Sequence, residues 1–166
     1  EDPANENHCD VAGCLMRAEL QFGGGAARSA IYALQKHEAN VFIYARDVEK
    51  AKSLASEFNC EAIEKFDTNS SFAIAINATP LGMYPKINEF SIPTIAIDKS
   101  DVVFDLVYNP LMTKSLDYAK DKGKSIIFGT EMFVYQAVKQ FELYTKSDAP
   151  ADVMRDALYK DLDKNE

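Results

Sequence analysis

Short, unbroken apolar runs that alternate with helical patterns limit most strongly how this chain can fold. The runs, rich in β-branched and aromatic residues, are Val41–Tyr44, 73–76, 102–107 (interrupted only by Asp105) and 125–128. Continuous runs of this kind suit strands that are covered on both faces, as in a parallel sheet. The stretches 26–36, Val48–Phe58 and 111–122 lie before or between these runs. In each of them the apolar side chains fall on one face of a helix. The alternation predicts an α/β fold with a doubly wound parallel sheet between two helical layers.

The C-terminal part of the sequence breaks this alternation. Residues 131–144 and 152–162 predict two successive helices with no strand between them. The apolar surface of these two helices is larger than one face of a sheet would cover. We therefore expect an exposed apolar patch near Phe141, Met154 and Leu158, which drives self-association or receives another domain.

The segment 14–22 has two interpretations. Apolar and polar residues alternate along it, which favours a half-polar strand over residues 16–22. Arg17 and Glu19, however, are poor residues for a strand that is buried on both faces, so a helix is the alternative. The choice matters because this segment precedes the first predicted helix and would supply the middle strand of the sheet.

The charge of the chain excludes two classes of partner. It has 18 basic and 26 acidic residues among 166, which gives a net charge of −8. Because phosphate backbones and anionic membrane surfaces repel such a chain, we expect neither nucleic acid nor membrane as a partner. Any phosphate ligand must then be held by a local site.

The cysteines and the N-terminal residues indicate a reducing, cytoplasmic setting. Three cysteines without disulfide-like spacing fit such a compartment. His8, Cys9 and Cys14 suggest zinc, but no second ligand pair accompanies them, so we expect no metal site. The acidic, polar start is unlike a signal peptide. Because the first residue is not Met, we expect the sequence to be part of a longer protein.

A glycine-rich turn at Gly23-Gly24-Gly25-Ala26 opens the first predicted helix. Glycines let the backbone approach a pyrophosphate, and a helix N-terminus supplies free N–H groups and positive dipole charge. The alternative is that the glycines serve only a tight turn.

Two cations follow the predicted strand Val41–Tyr44. Arg46 and Lys50 are four residues apart, at the place where a dinucleotide fold meets the adenosine ribose. A cation there accommodates a 2′-phosphate, whereas an acid prefers a free 2′-hydroxyl. Asp47, the predicted N-cap of the next helix, is such an acid. The alternative interpretation is a solvated helix start.

Polar residues also follow the later strands. Asn77 and Thr79 come directly after a buried strand, either in a ligand crevice or in a Pro/Gly turn where they bond to local backbone. The segment 105–110 follows the next strand. We expect Gln136, on an apolar helix, to be buried and to need a ligand or a backbone partner.

Taken together, these segments resemble the cofactor-binding half of the shikimate dehydrogenase family. The matching stretches, in order, read GGGAAR, YARDVEKA, NATPLGM, DLVYNP and GTEMFVYQAVKQFELYT, and the resemblance runs from about residue 24 to about residue 158. It implies a Rossmann-like fold. It also implies an NADP-dependent oxidoreductase of aromatic amino acid biosynthesis that reduces 3-dehydroshikimate to shikimate by passing a hydride to a ring ketone.

The resemblance assigns roles to individual residues. The diphosphate would lie on Gly24, Gly25 and Ala26, and the 2′-phosphate on Arg46 and Lys50. The positions near the nicotinamide would be Asn77, Thr79, Leu106 and Gly129. Tyr108 and Gln136 would touch the substrate. Asp10, in a segment similar to the family's Thr-Asp-x-x-Gly, would be the catalytic carboxylate that works with a lysine.

The resemblance further divides the chain. Residues 1–15 would be a remnant of the junction with the substrate domain, 16–146 the dinucleotide-binding domain, and 147–166 a helix that returns to the substrate domain. That domain would carry the catalytic lysine, so this chain alone is expected to be inactive. It would dock here, or the chain would form a homodimer.

Three positions depart from the family's pattern. Phe22 replaces the first glycine of the turn, and Ala45 and Asp47 stand where the family usually has Asn and Thr. The acid leaves NAD use open. The alternatives are therefore a quinate/shikimate dehydrogenase that uses NAD, and a non-catalytic nucleotide-binding remnant or partner subunit.

Overall fold

The computed structural model describes residues 13–18, 24–66 and 71–162. The first half of this part consists of β1 (Gly13–Ala18), α1 (Gly25–Lys36), β2 (Val41–Tyr44), α2 (Val48–Phe58), β3 (Glu61–Ala62) and β4 (Phe72–Ala78). The second half consists of α3 (Thr94–Asp98), β5 (Ser100–Asp105), α4 (Lys114–Asp121), β6 (Ser125–Ile127), α5 (Gly129–Thr145) and α6 (Ala151–Leu162).

The strands form one sheet in the order β3-β2-β1-β4-β5-β6, and every pairing is parallel. The chain builds outwards from β1 to one edge and then returns to build from β4 to the other. The order therefore reverses between β1 and β4, where doubly wound sheets bind ligands at the carboxyl ends of their strands. This topology confirms the predicted Rossmann-like fold.

Both faces of the sheet are covered by helices. On one face, α1 and α2 pack against the sheet through a buried cluster that includes Ile31, Ile43 and Leu54. On the other face, α3 and α4 do so through a cluster that includes Ile97 and Leu116. Coverage on both faces explains why the strands read as continuous apolar runs, and it confirms the three layers.

The middle strand is present, but the predicted bounds 16–22 are wrong at the start. β1 begins at Gly13, which pairs with Phe72 of β4, and Arg17 lies between Tyr44 of β2 and Asn77 of β4. A middle strand bonds to neighbours on both sides, so this pairing determines where it begins. Residues 19–22 lie outside the described part.

Other element bounds differ where capping decides them. The helix predicted over 111–122 begins only at Lys114, because the Thr113 hydroxyl caps it by accepting from the Leu116 N–H at 3.3 Å. Gly123, with φ of +72°, ends this helix as predicted. The predicted strand 102–107 ends at Asp105. The two-residue β3 and the five-residue α3 were not predicted, because they are too short for a periodic pattern.

The terminal helices fold against each other. The Thr130 and Tyr159 hydroxyls lie 3.2 Å apart, and the Arg155 guanidinium lies 3.4 Å from the Glu131 carboxylate. Phe141, Met154 and Leu158 themselves are half-buried. The large apolar side chains exposed on these helices are Tyr135, Leu143, Tyr144 and Val153.

Within the described ranges, no helix combines the length and the apolar character that crossing a membrane requires.

Candidate functional site

A cleft of about 500 Å³ opens at the carboxyl edge of the sheet, and three elements form it. Its walls are Ala26, Ser29 and Ala30 of α1, Phe104 and Leu106 at the end of β5, and Met132 and Gln136 of α5. The lining is mostly apolar, with Ser29 and Gln136 as its polar side chains. The fold thus brings Ala26, Leu106 and Gln136 together, although they are distant in sequence and were predicted separately.

Ser29 and Met132 are cleft residues that the sequence analysis missed. Ser29 lies three residues after Ala26, and Met132 lies four residues before Gln136, so each shares a helical face with a predicted residue. Helical spacing from the predicted residues could have found both.

The start of α1 is suited to an anion. Gly24 is the N-cap, with φ of +29°, and it offers no side chain to the first N–H groups. The first turn contains no acidic residue. The N–H groups of the first turn, which no side chain among the described residues caps, and the positive end of the helix dipole therefore lie next to the cleft wall at Ala26.

Gly25 is not required by the packing of the described residues. Among the described residues, nothing lies within 4 Å of a Cβ added there, and its backbone φ is not in the left-handed region. Neither crowding nor conformation thus demands a glycine at this position. The open space is what a ligand's phosphate would need to reach the helix N-terminus.

The loop after β2 carries exposed charges of both signs. Asp47 caps α2, because its Oδ1 accepts from the Lys50 N–H at 3.2 Å. Its other oxygen, Oδ2, lies 3.5 Å from the Lys50 ammonium. Arg46 is exposed beside them. The predicted N-cap is confirmed, and the acid also engages one of the two cations proposed for a phosphate.

The Asn77 and Thr79 side chains face the interior. The amide oxygen of Asn77 accepts from the Thr79 N–H and hydroxyl at 2.9 and 2.6 Å, and its amide nitrogen donates to the carbonyls of Thr79 and Leu81. Both side chains are buried. Their polar atoms bond within the turn, as in the alternative of a local Pro/Gly turn, so a contact between this turn and a ligand would fall to its backbone.

Asp105 is the centre of this buried polar network. Its Oδ1 accepts from the Asn77 amide at 2.7 Å and the Val107 N–H at 3.1 Å. Its Oδ2 accepts from the Ser91 and Thr113 hydroxyls at 2.7 and 2.8 Å. No lysine or arginine among the described residues forms an ion pair with it. Burial raises the pKa of Asp105, although the four hydrogen bonds act to lower it.

Gly129 opens α5 in close contact with the segment after β5. A Cβ there would lie 2.4 Å from the Val107 carbonyl oxygen, so a larger residue would push the helix and this segment apart. The Tyr108 ring stacks on Phe133 of α5, with ring centres 4.5 Å apart. The packing of α5 thus holds the segment whose Leu106 lines the cleft.

Gln136 is exposed at the cleft, so the expectation that it is buried is wrong. The face of α5 on which it lies forms a wall of the cleft. Asp10 and Gly23, which begins the glycine run of this chain, lie outside the described residues. In the described ranges, no group of three His, Cys, Asp or Glu side chains is placed to hold a metal ion.

Comparisons with known proteins agree with this geometry. Residues 129–159 match the model of the shikimate 5′-dehydrogenase C-terminal domain. The chain is 36% identical to the shikimate dehydrogenase (NADP(+)) of Carboxydothermus hydrogenoformans over 162 residues, which is 92% of this chain and 57% of that protein.

Two solved structures show the same fold. The shikimate 5-dehydrogenase of Thermus thermophilus, in complex with NADP(H) and shikimate, has a TM-score of 0.78 at 27% identity, covering 90% of this chain and 56% of that one. The quinate dehydrogenase of Corynebacterium glutamicum in complex with NAD has a TM-score of 0.72 at 26% identity, with 90% and 55% covered. The chain thus spans just over half the length of these relatives, and its similarity to shikimate dehydrogenases extends over about nine tenths of its own length.

Proposed function

We propose that this chain is the NADP-binding part of an oxidoreductase that reduces 3-dehydroshikimate to shikimate. The observation that carries the proposal is the cleft, which joins the uncapped start of α1 to Leu106 and Gln136. One end of this cleft suits a phosphate, and the other offers an apolar wall beside an amide side chain. A dinucleotide needs both ends in one site.

The residues present fit the cofactor. The start of α1 contains no acid, and the space beside Gly25 would be filled by a Cβ. Gly24, Gly25 and Ala26 would hold the diphosphate through their N–H groups, and Arg46 and Lys50 would hold the 2′-phosphate through charge-assisted hydrogen bonds. When bound, the reduced cofactor supplies a hydride.

The chain's own residues would orient and shield the reacting end. Leu106, with Phe104 and Met132 around it, would exclude water from the nicotinamide side of the cleft. Gly129 would keep the segment carrying Leu106 close to α5. The Gln136 amide and the Tyr108 hydroxyl would bind the hydroxyl groups of the substrate.

The remaining parts of the proposal concern the ends of the chain. Asp10 would be the catalytic carboxylate, holding a proton near the substrate oxygen with a lysine of the substrate domain. Residues 1–15 and 147–166 would lead to that domain, and 16–146 would form the cofactor-binding unit. The substrate domain, or a second copy of the chain, would dock beside the cleft. The setting would be the cytoplasm.

Calorimetric titration of the chain with NADP and with NAD tests the proposal. NADP should bind, and Arg46→Ala should weaken it by about 1.5–3 kcal/mol, the contribution of a hydrogen bond to a charged group. Lys52→Ala is the matched control, because Lys52 has the same charge and lies on α2 but pairs with Glu49 and Glu64. Absence of NADP binding would contradict the proposal, and an unchanged affinity in Arg46→Ala would contradict the 2′-phosphate site.

Asp47 favours a second candidate, an enzyme of the same family that uses NAD. An acid at the end of the second strand of a dinucleotide fold bonds to a free ribose 2′-hydroxyl. The same titration separates the candidates, because this one requires NAD to bind more tightly than NADP.

A further inference from the structure

Asp47 has two functions in this loop, and they are separable. As the N-cap of α2, its Oδ1 accepts from the Lys50 N–H. As an anion, its Oδ2 lies 3.5 Å from the Lys50 ammonium, with both side chains about half exposed. An asparagine would keep the first function, since Asn and Asp are equally good N-caps, and would remove the second.

The anion stands where it opposes a bound 2′-phosphate in two ways. It competes with the phosphate for the Lys50 ammonium, and its own negative charge repels a phosphate held beside Arg46 and Lys50. Neither effect acts on the neutral 2′-hydroxyl of NAD, from which a carboxylate accepts a hydrogen bond. The Asp47 side chain thus weakens the binding of NADP and favours the binding of NAD.

We propose that Asp47 is a specificity-determining residue that reduces the preference of this chain for NADP over NAD by engaging Lys50. The proposal rests on the proposed function, since it needs the dinucleotide site. It also gives the acid a physical role in this chain: the loop retains both cations, but one of them is partly neutralised.

The test is a titration of the chain and of Asp47→Asn with NADP and with NAD. Asp47→Asn should bind NADP roughly two- to fivefold more tightly, the range expected for releasing an exposed ion pair. NAD affinity should stay the same or fall. The ratio of the two affinities is the readout, because a general change in folding would alter both.

Glu49→Gln is the matched control. Glu49 is also an acid in the first turn of α2 and pairs with a lysine, Lys52 at 3.4 Å, so the variant removes the same charge two residues away. It should leave the affinity ratio nearly unchanged. A ratio that moves equally in both variants would overturn the proposal, because it would indicate a general effect of net charge.

The dependence on Lys50 is tested by repeating the substitution in Lys50→Ala. Asp47→Asn should have a smaller effect there, because there is no ammonium to release; an equal effect would overturn the assigned mechanism. If the unmodified chain binds neither NADP nor NAD, the proposed function fails as well. If it binds them and Asp47→Asn leaves the ratio unchanged, only this inference fails.

Discussion

Two aspartates lie near the carboxyl edge of the sheet, in very different surroundings. Asp47 follows β2, is about half exposed, and faces a helix start and a lysine. Asp105 ends β5, is fully buried, and accepts four hydrogen bonds from neutral donors. At one part of the edge the aspartate is an exposed charge that pairs with a lysine. At the other part it is the centre of a buried hydrogen-bond network. A buried carboxylate is tolerated only when its lone pairs are satisfied.

The comparison also separates two parts of the carboxyl edge of the sheet. The part formed by the start of α1 offers N–H groups that no side chain among the described residues caps, as a ligand site requires. In the part at the ends of β4 and β5, the polar side chains bond to each other, and this holds the backbone around Leu106. The start of α1 would bind the ligand, and the network at the ends of β4 and β5 would keep the backbone in the geometry that binding needs.

The largest effect should come from Asp105→Ala. It leaves the Thr113 hydroxyl and the Val107 N–H without their acceptor and removes one acceptor each from the Asn77 amide and the Ser91 hydroxyl. Each buried group left unsatisfied costs about 1–3 kcal/mol. We expect the free energy of unfolding to fall by about 3 kcal/mol or more, measured by urea denaturation. Asp101→Ala, at an exposed position of the same strand, should change it by less than about 0.5 kcal/mol. Equal losses in both would contradict the role of the network.

Gly129→Ala should have the next largest effect. The added Cβ would meet the Val107 carbonyl at 2.4 Å, and overpacking of this kind costs about 1–3 kcal/mol. Gly25→Ala, at the start of α1, should leave stability unchanged or raise it by up to about 1 kcal/mol, since alanine is the better helix former. Thermal unfolding of both variants checks the contrast. It would be refuted if Gly25→Ala were the more destabilised of the two.

Asp47→Ala should have a smaller effect on stability. It removes an N-cap, which typically costs about 1 kcal/mol, whereas Asp47→Asn keeps the cap and should cost little. Urea denaturation of the two variants measures the difference. Equal losses in both would mean that the charge of Asp47, and not its capping hydrogen bond, stabilises α2.

The pH dependence of stability should show the buried carboxylate directly. Because burial raises the pKa of Asp105, the folded state binds its proton more tightly than the unfolded state does. Stability from this group is therefore present below the ordinary carboxyl pKa and is lost as pH rises towards the raised value. Asp105→Asn does not titrate at this position. The stability advantage of the original chain over this variant should thus shrink between about pH 4 and about pH 7.

Urea denaturation of both proteins at the two pH values measures this difference, in which the other titrating groups cancel. An advantage that grows with pH would show that the four hydrogen bonds outweigh burial and that the pKa of Asp105 is lowered.

Local signals in the sequence identified most of the fold. The apolar runs predicted β2 and β4 near their observed places, and the N-cap Asp47 and the terminator Gly123 were recognised from residue type. These features depend on neighbours within a few residues, which a sequence displays directly. The family's motifs added the expected residues of the cleft, of which Ala26, Leu106 and Gln136 do lie together.

What the sequence by itself determined is which elements form and which end of each carries polar residues. Only the tertiary structure decided that the Asn77 and Thr79 side chains turn inwards and that Gln136 is exposed. It also decided that Asp105 accepts hydrogen bonds from Asn77, Ser91 and Thr113, which are distant in sequence. The bond from Asn77 to Asp105 connects residues 28 positions apart. Whether a polar side chain meets a ligand or a neighbour depends on which strands become adjacent, and that is settled only when the sheet is assembled.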